Sequence, residues 1–446
     1  MISSSSSSNS SIKNIEGFIT NKRNKPFHIC IMTGDVYPLP SANGVCVLAI
    51  AEALAKDGHK IDIICNGTEN KFEAHSENGI TYHIVKSNYT APYKYSLFER
   101  ILRVISLRII LPLYPVKDLP RITYYKRMYK EINSVEKVDC LISCVMPFEA
   151  GLAGKKLKDE NLLNCFMIYQ LDSLGNNRFD EGDGLLQQYR RRKAKTAELT
   201  LFDSADAIFE LKCNQFFYNS EQFQKIKSKI RFIDIPLVSE DLYLKIRSLE
   251  RKTIKDQSVI TFIYAGGLQK SFRDPSFIIQ LIDKIQNERK VDCMFNFFTK
   301  ANLSQFLDGV ENVDIIRNRG YVSQDELNLQ YSASDFLISI GNKSTSEIHE
   351  IPSKLFVYIS TGKPIIHISG GPYDACLPYL SRYENAIIID PDSSLEDNYE
   401  NLKCFIIEHR GKVIDFDEIV NRFIENTSIY TKELLIEALR MQRDLI

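Results

Sequence analysis

Phe27-His-Ile-Cys-Ile-Met32 is a short apolar run of the kind that forms a buried strand. A loop dense in turn formers follows, Thr33-Gly-Asp-Val-Tyr-Pro-Leu-Pro-Ser-Ala-Asn-Gly44, and Val45–Lys56 then carries apolar residues at helical spacing. Asp57-Gly58 closes that helix, and Lys60-Ile-Asp-Ile-Ile-Cys65 is the next strand. Strand, loop, helix and strand in about 40 residues make a βαβ unit, whose crossover implies a parallel sheet.

The alternation continues outward. Strands are expected at Ile80–Val85, Val138–Val145, Asn164–Tyr169, Ala207–Glu210 and Lys229–Asp234, with a helix at Pro147–Lys158. Between Tyr243 and Asp256 the chain turns charged and aperiodic, the expected interdomain boundary. A second set follows: strands at Val259–Tyr264, Val291–Phe298, Val313–Ile316, Asp335–Ile340, Pro364–Ile368 and Asn385–Ile389, with helices at Pro275–Glu288, Gln324–Ser332 and Pro352–Ser360. The expected fold is α/β, two Rossmann-like doubly wound domains facing a cleft. The segments are 1–25 (a Ser-rich disordered tail), 26–245, 246–425, and 426–446, a helix packing back on the first domain. Ligands of such sheets bind at the C-terminal ends of the strands, so the cleft is the expected site.

Composition narrows the class. Of 446 residues, 44% are hydrophobic and 25% charged, which suits a globular chain with real cores. Lys+Arg 56 against Asp+Glu 57 leaves a net charge of −1, so bulk charge offers nucleic acid nothing. The ten cysteines include no C-x-x-C, and Cys140 and Cys144, the closest pair, read as small buried hydrophobes. No apolar run reaches the length of a membrane span. The tail, with Ser3–Ser8, has no apolar h-region, and a cytoplasmic location is expected.

The common fingerprints are missing. There is no G-x-G-x-x-G, no G-x-x-x-x-G-K-[ST], no H-E-x-x-H and no G-x-S-x-G. Asp390-Pro-Asp392 and Asp415-Phe-Asp417 are read as chance rather than as metal ligands. Three other stretches stand out. Ser41-Ala-Asn-Gly44 opens a helix, where amides and dipole favour an anion. Tyr264-Ala-Gly-Gly-Leu-Gln-Lys-Ser-Phe-Arg273 is a strand emptying into a glycine turn with two cations, Lys270 and Arg273, a pattern suited to a diphosphate. Pro352-Ser-Lys-Leu-Phe-Val-Tyr-Ile-Ser-Thr-Gly-Lys-Pro-Ile-Ile366 is a short helix running into a buried strand.

On these residues the chain resembles the retaining "group 1" (family four type) glycosyltransferases of the GT-B fold, over about Phe27 to Asp390. The resemblance implies an N-terminal acceptor-binding domain and a C-terminal nucleotide-sugar-binding domain. It makes Lys270 and Arg273 the catalytic cations on the leaving diphosphate. Gly266, Gly267, Glu350, Pro352, Ser353 and Lys354 become donor-binding residues, and Asn43 and Gly44 the acceptor or phosphate loop. No metal or resident cofactor is implied, the nucleotide-sugar being a co-substrate. The expected acceptor is a saccharide or a polyprenyl-linked lipid, and the expected setting is cell-surface polysaccharide or glycoconjugate synthesis.

The chain departs from the family at two places. Val357 stands where a glutamate holds the ribose hydroxyls, and His349 where the first acid of E-x7-E falls. Glu350, nearer the helix start than Glu347, is the carboxylate expected to take over the ribose, with a plain helix-start charge as the alternative. A nucleotide-sugar epimerase of the same architecture and a non-catalytic GT-B partner subunit stay open as other readings. Arg100, Arg103, Arg108, Lys117, Arg121, Lys126, Arg127 and Lys130 surround an apolar stripe between residues 97 and 130. That pattern suits the surface of an anionic membrane, on its inner face.

Overall fold

A computed structural model describes residues 25–37, 40–67, 74–86, 97–106, 109, 114–174, 184–252, 256–289, 292–343 and 351–444. The serine tail and Arg108, Glu347, His349 and Glu350 lie outside the described residues.

Two sheets carry the chain. The first has the order β3-β4-β2-β1-β5-β6-β7-β8. Its strands are β1 (His28–Asp35), β2 (Lys60–Gly67), β3 (Ala74–Glu77), β4 (Ile80–Lys86), β5 (Cys140–Cys144), β6 (Cys165–Gln170), β7 (Ala207–Leu211) and β8 (Ile230–Ile233). The second has the order β11-β10-β9-β12-β13-β14, from β9 (Val259–Ala265), β10 (Asp292–Phe298), β11 (Ile316–Asn318), β12 (Phe336–Ile340), β13 (Ile365–Ile368) and β14 (Ala386–Ile389). Every neighbouring pair is parallel except β3, which runs antiparallel on β4. Central strands such as β5, β6 and β12 are buried along their whole length, which is why they read as unbroken apolar runs.

The strand from Asp57-Gly58 onward enters β2 as the βαβ reading requires, and the helix spans Ala42–Lys56. Ser41 caps it, its Oγ accepting from the Gly44 amide at 3.2 Å. The terminal helix Ser428–Arg443 packs on Ala42–Lys56, and its Leu435, Ile436 and Leu439 enter the core of the first sheet. Each such burial contributes about 1.5–3 kcal/mol.

Three expectations need correction. The chain leaves the first sheet at Ile233, and Glu240–Glu250 is a helix packed on the helices Gln324–Ala333 and Lys354–Ser360 of the second domain. The crossing therefore lies at about residues 234–239, and residue 245 falls inside a helix. Its charges, not an absence of structure, gave the aperiodic appearance. Val313–Ile315 is a 3-10 turn that only then enters β11. The cationic rim also dissolves in part. Lys126 and Lys130 pair with Glu160, Arg127 pairs with Glu131, and Arg121 is buried beside Asp118. No helix among the described residues is long and apolar enough to cross a membrane.

One glycine is fixed by packing. A Cβ on Gly44 would stand 2.2 Å from the Asp35 carbonyl oxygen at the end of β1. Gly44→Ala is therefore expected to cost about 1–3 kcal/mol, the usual range for overpacking. An unchanged denaturation midpoint would overturn that reading.

Candidate functional site

The site grows from the strand ends of the second sheet. β9, β12 and β13 lie side by side and parallel, so the loops that follow them emerge together. The helix Lys354–Ser360 leads into β13, and its Tyr358 hydroxyl accepts from the Ala265 amide at the end of β9 at 3.2 Å, which ties the helix to the same strands.

The loop after β9 is pinned at both ends. The Gly266 amide donates to the Phe298 carbonyl at 3.0 Å, and the Tyr264 hydroxyl donates to the Gly267 carbonyl at 2.8 Å. Gln269 and Arg273 exchange backbone hydrogen bonds of 3.1 and 2.7 Å, closing the loop on itself. Gly266 keeps the entrance narrow: a Cβ there would lie 2.8 Å from the Tyr264 hydroxyl and 3.4 Å from the Lys354 ammonium. Around Gly267 there is open space.

Two cations meet at this point. The Arg273 guanidinium is half-buried, and Asn342 Oδ1 accepts from its Nε at 3.1 Å and from Nη2 at 2.5 Å. Lys354 exposes much of its length on the wall of the site, while its ammonium end comes to Gly266. Desolvation of that end and the Arg273 charge lower the Lys354 pKa to about 8.

The structure brings Gly266, Gly267, Arg273 and Lys354 together and sends Lys270 elsewhere. The Lys270 ammonium turns to the Gln305 carbonyl at 3.5 Å, on the exposed side of the loop. Pro352 and Ser353 begin the seven-residue helix, accepting from the Leu355 and Phe356 amides at 2.9 and 3.3 Å, and the Ser353 side chain does not cap it. Val357 is half-buried and packs against the inner apolar cluster of the second sheet, a packing position.

Across from this site, Asn43 in the first turn of the helix Ala42–Lys56 donates to Asp172 Oδ2 at 2.7 Å and joins that helix start to the loop after β6. Cys46 and Leu211 of the first domain share one apolar cluster with Leu355 and Phe356, so the two edges face each other. The Tyr379 hydroxyl reaches both oxygens of Asp234 at 2.9 Å, another bond between the domains.

Sequence reasoning missed Asn342. Its signal was its place two residues beyond the apolar run of β12. Also unremarked was the grouping of His367, Asp374 and Cys376, the one set of three potential metal ligands among the described residues. These side chains are already engaged. His367 bonds Asp374 Oδ2 at 2.8 Å and Ser339 at 3.0 Å, and Asp374 accepts from the Gly370 and Cys376 amides at 2.8 and 2.9 Å. Burial alone would raise the Asp374 carboxyl, but these bonds hold it below its ordinary range. Asp390 accepts from the Asp392 amide within its own turn, and Asp415 precedes the helix Phe416–Phe423.

No protein-family model and no curated protein sequence matches the chain. Solved structures do. Sucrose-phosphate synthase from Thermosynechococcus elongatus is similar over 94% of this chain and 99% of that one, with a TM-score of 0.64 and 13% identity. An α,α-trehalose-phosphate synthase (UDP-forming) from Burkholderia xenovorans, in complex with glucose-6-phosphate, covers 93% and 100% at a TM-score of 0.59 and 9% identity. The catalytic domain of starch synthase IV from Arabidopsis thaliana, bound to ADP and acarbose, covers 94% and 99% at 0.56 and 9%. At these identities the likeness is one of fold: two parallel-sheet domains in the GT-B arrangement of glycosyltransferases.

The lowered Lys354 pKa sets a pH dependence. The ammonium is charged below about pH 8 and loses its proton above it, whereas an ordinary lysine stays charged to about pH 10.4. Affinity for inorganic pyrophosphate is expected to fall as pH rises through about 8 to 9 and to lose that step in Lys354→Met. A flat profile across this window in the wild type would remove Lys354 from the anion site.

Proposed function

We propose that this chain is a glycosyltransferase that moves a sugar from a nucleotide-sugar, bound at the strand ends of the second sheet, to a saccharide or lipid-linked acceptor on the first domain. The observation that carries the reading is the pairing of Lys354, whose ammonium comes to Gly266, with the Arg273 charge from the same glycine loop, on the edge where a sheet of this fold takes its ligand. As the bond to the sugar breaks, negative charge builds on the leaving diphosphate. A guanidinium can grip two of its oxygens and an ammonium adds a point charge, so the chain's own cations lower the barrier. Lys270 supplies a third charge if its loop turns inward from Gln305. Loss of the diphosphate without a metal, retention of configuration and reading of the ribose by Glu350 belong to the same proposal. A trehalose-6-phosphate synthase among the structural neighbours is described as transferring with retention.

The proposal includes a membrane-facing surface, on the cytoplasmic side, where a lipid-linked acceptor would be met. The helix Leu97–Ile105 turns Leu97, Phe98, Ile101 and Val104 outward beside exposed Arg100. With Lys126, Arg127 and Lys130 already paired, this helix is the part of the 97–130 segment that supports contact.

Two experiments test the reading. Titration with UDP, ADP and GDP should raise the melting temperature, and Arg273→Ala should weaken that binding about 10- to 150-fold, the loss of roughly 1.5–3 kcal/mol for a charge-assisted bond. Wild-type affinity in Arg273→Ala would move the diphosphate elsewhere. Sedimentation with phosphatidylglycerol vesicles should show binding that salt weakens and that Phe98→Ser with Ile101→Ser abolishes. Equal recovery of both proteins in the pellet would remove the membrane surface.

A further inference from the structure

We propose that Asn342 is the positioning residue that aims Arg273, held in place by a buried clamp built on His367 and Asp374. The inference rests on the donor-site reading above and adds a residue to it.

The Asn342 backbone is fixed on both sides. The amide before it, Gly341, donates to the Ile368 carbonyl at 2.8 Å, and the amide after it, Lys343, donates to the Phe272 carbonyl at 2.8 Å. The first anchor belongs to the strand that carries His367, and the second lies next to Arg273 itself. The clamp then leaves no slack. A Cβ on Gly341 would stand 1.8 Å from Asp374 Oδ2, and one on Gly370 would stand 2.2 Å from the Asn342 carbonyl oxygen. Asp374 is itself locked by His367 and by two amides, in a place with almost no solvent.

The chemistry of the contact fits an aiming role. One neutral oxygen takes the Nε and Nη2 N–H groups along one edge of the guanidinium, and the Tyr264 hydroxyl, also neutral, bonds to it as well. A carboxylate in the same place would hold the guanidinium equally well and cancel its charge. An amide orients without neutralising.

The test uses the full chain and isothermal titration with inorganic pyrophosphate, UDP and ADP, with uridine and adenosine as phosphate-free controls. Asn342→Ala is expected to bind the diphosphates about tenfold more weakly, roughly 1.4 kcal/mol. Its affinity for the nucleosides and its melting temperature should match the wild type. In an Arg273→Ala background the same change should cost nothing further, since there is no guanidinium left to aim. Asn342→Ser, too short to reach, serves where the alanine variant does not fold. Unchanged diphosphate binding, an equal loss for the nucleosides, or an undiminished loss in the Arg273→Ala background would each overturn the proposal. A wild type that binds none of the three diphosphates would instead overturn the donor site, and this inference with it.

Discussion

A buried ammonium group sets the relation between the two domains. Lys363 is 3% exposed, and its charge is met by Glu250 at 2.7 Å and by the Ser332 and Ser334 carbonyls at 3.0 and 2.6 Å. An unpaired cation in that place would cost several kcal/mol, so Glu250 has to come to it. Glu250 ends the helix Glu240–Glu250, which begins where the chain leaves the first domain. The same helix sends Arg247 to the Thr361 carbonyl at 2.8 Å, and the Ser239 amide just before it donates to Ser360 Oγ at 3.0 Å. The linker is thus drawn along the end of the helix Lys354–Ser360, and the first sheet is hung from it.

The stretch Pro352–Ile366 consequently does two jobs. Its second half, Ser360 to Lys363, is a fastening for the linker. Gly362 belongs to that half: at φ +70°, with the Ile414 carbonyl 2.5 Å from where a Cβ would go, nothing larger fits. Its first half carries Lys354 to the glycine loop after β9, where the diphosphate is proposed to bind. A segment recognisable as a motif is therefore partly architecture and partly chemistry, and the two are only six residues apart.

That division explains what the sequence could tell. The βαβ unit was legible because buried parallel strands are unbroken apolar runs and the helix Ala42–Lys56 is apolar enough to show its period. The helix Glu240–Glu250 was not, because its buried face is small and its charged residues are the ones that do the fastening. The anion site was half legible. Arg273 stood out as a cation beyond a glycine turn, but so did Lys270, and only the loop's closure on itself separates them. Lys354 and Asn342 lie 81 and 69 residues further along the chain and reach Arg273 only through the order of strands β9, β12 and β13. Sequence spacing holds no trace of that order.

Among the described residues, neither Arg273 nor Lys354 is paired with a carboxylate. Elsewhere this chain pairs its charges readily: Asp62 sits between His28 and His83, and Lys432 is bonded to Asp57. Beside Arg273 stand two neutral oxygens, Asn342 Oδ1 and the Tyr264 hydroxyl. Burial of the Lys354 ammonium, with the Arg273 charge beside it, lowers the lysine pKa. A diphosphate bound as proposed is attracted by both charges, since below about pH 8 Lys354 already carries its proton. In the transfer proposed above, that attraction grows as charge accumulates on the leaving diphosphate.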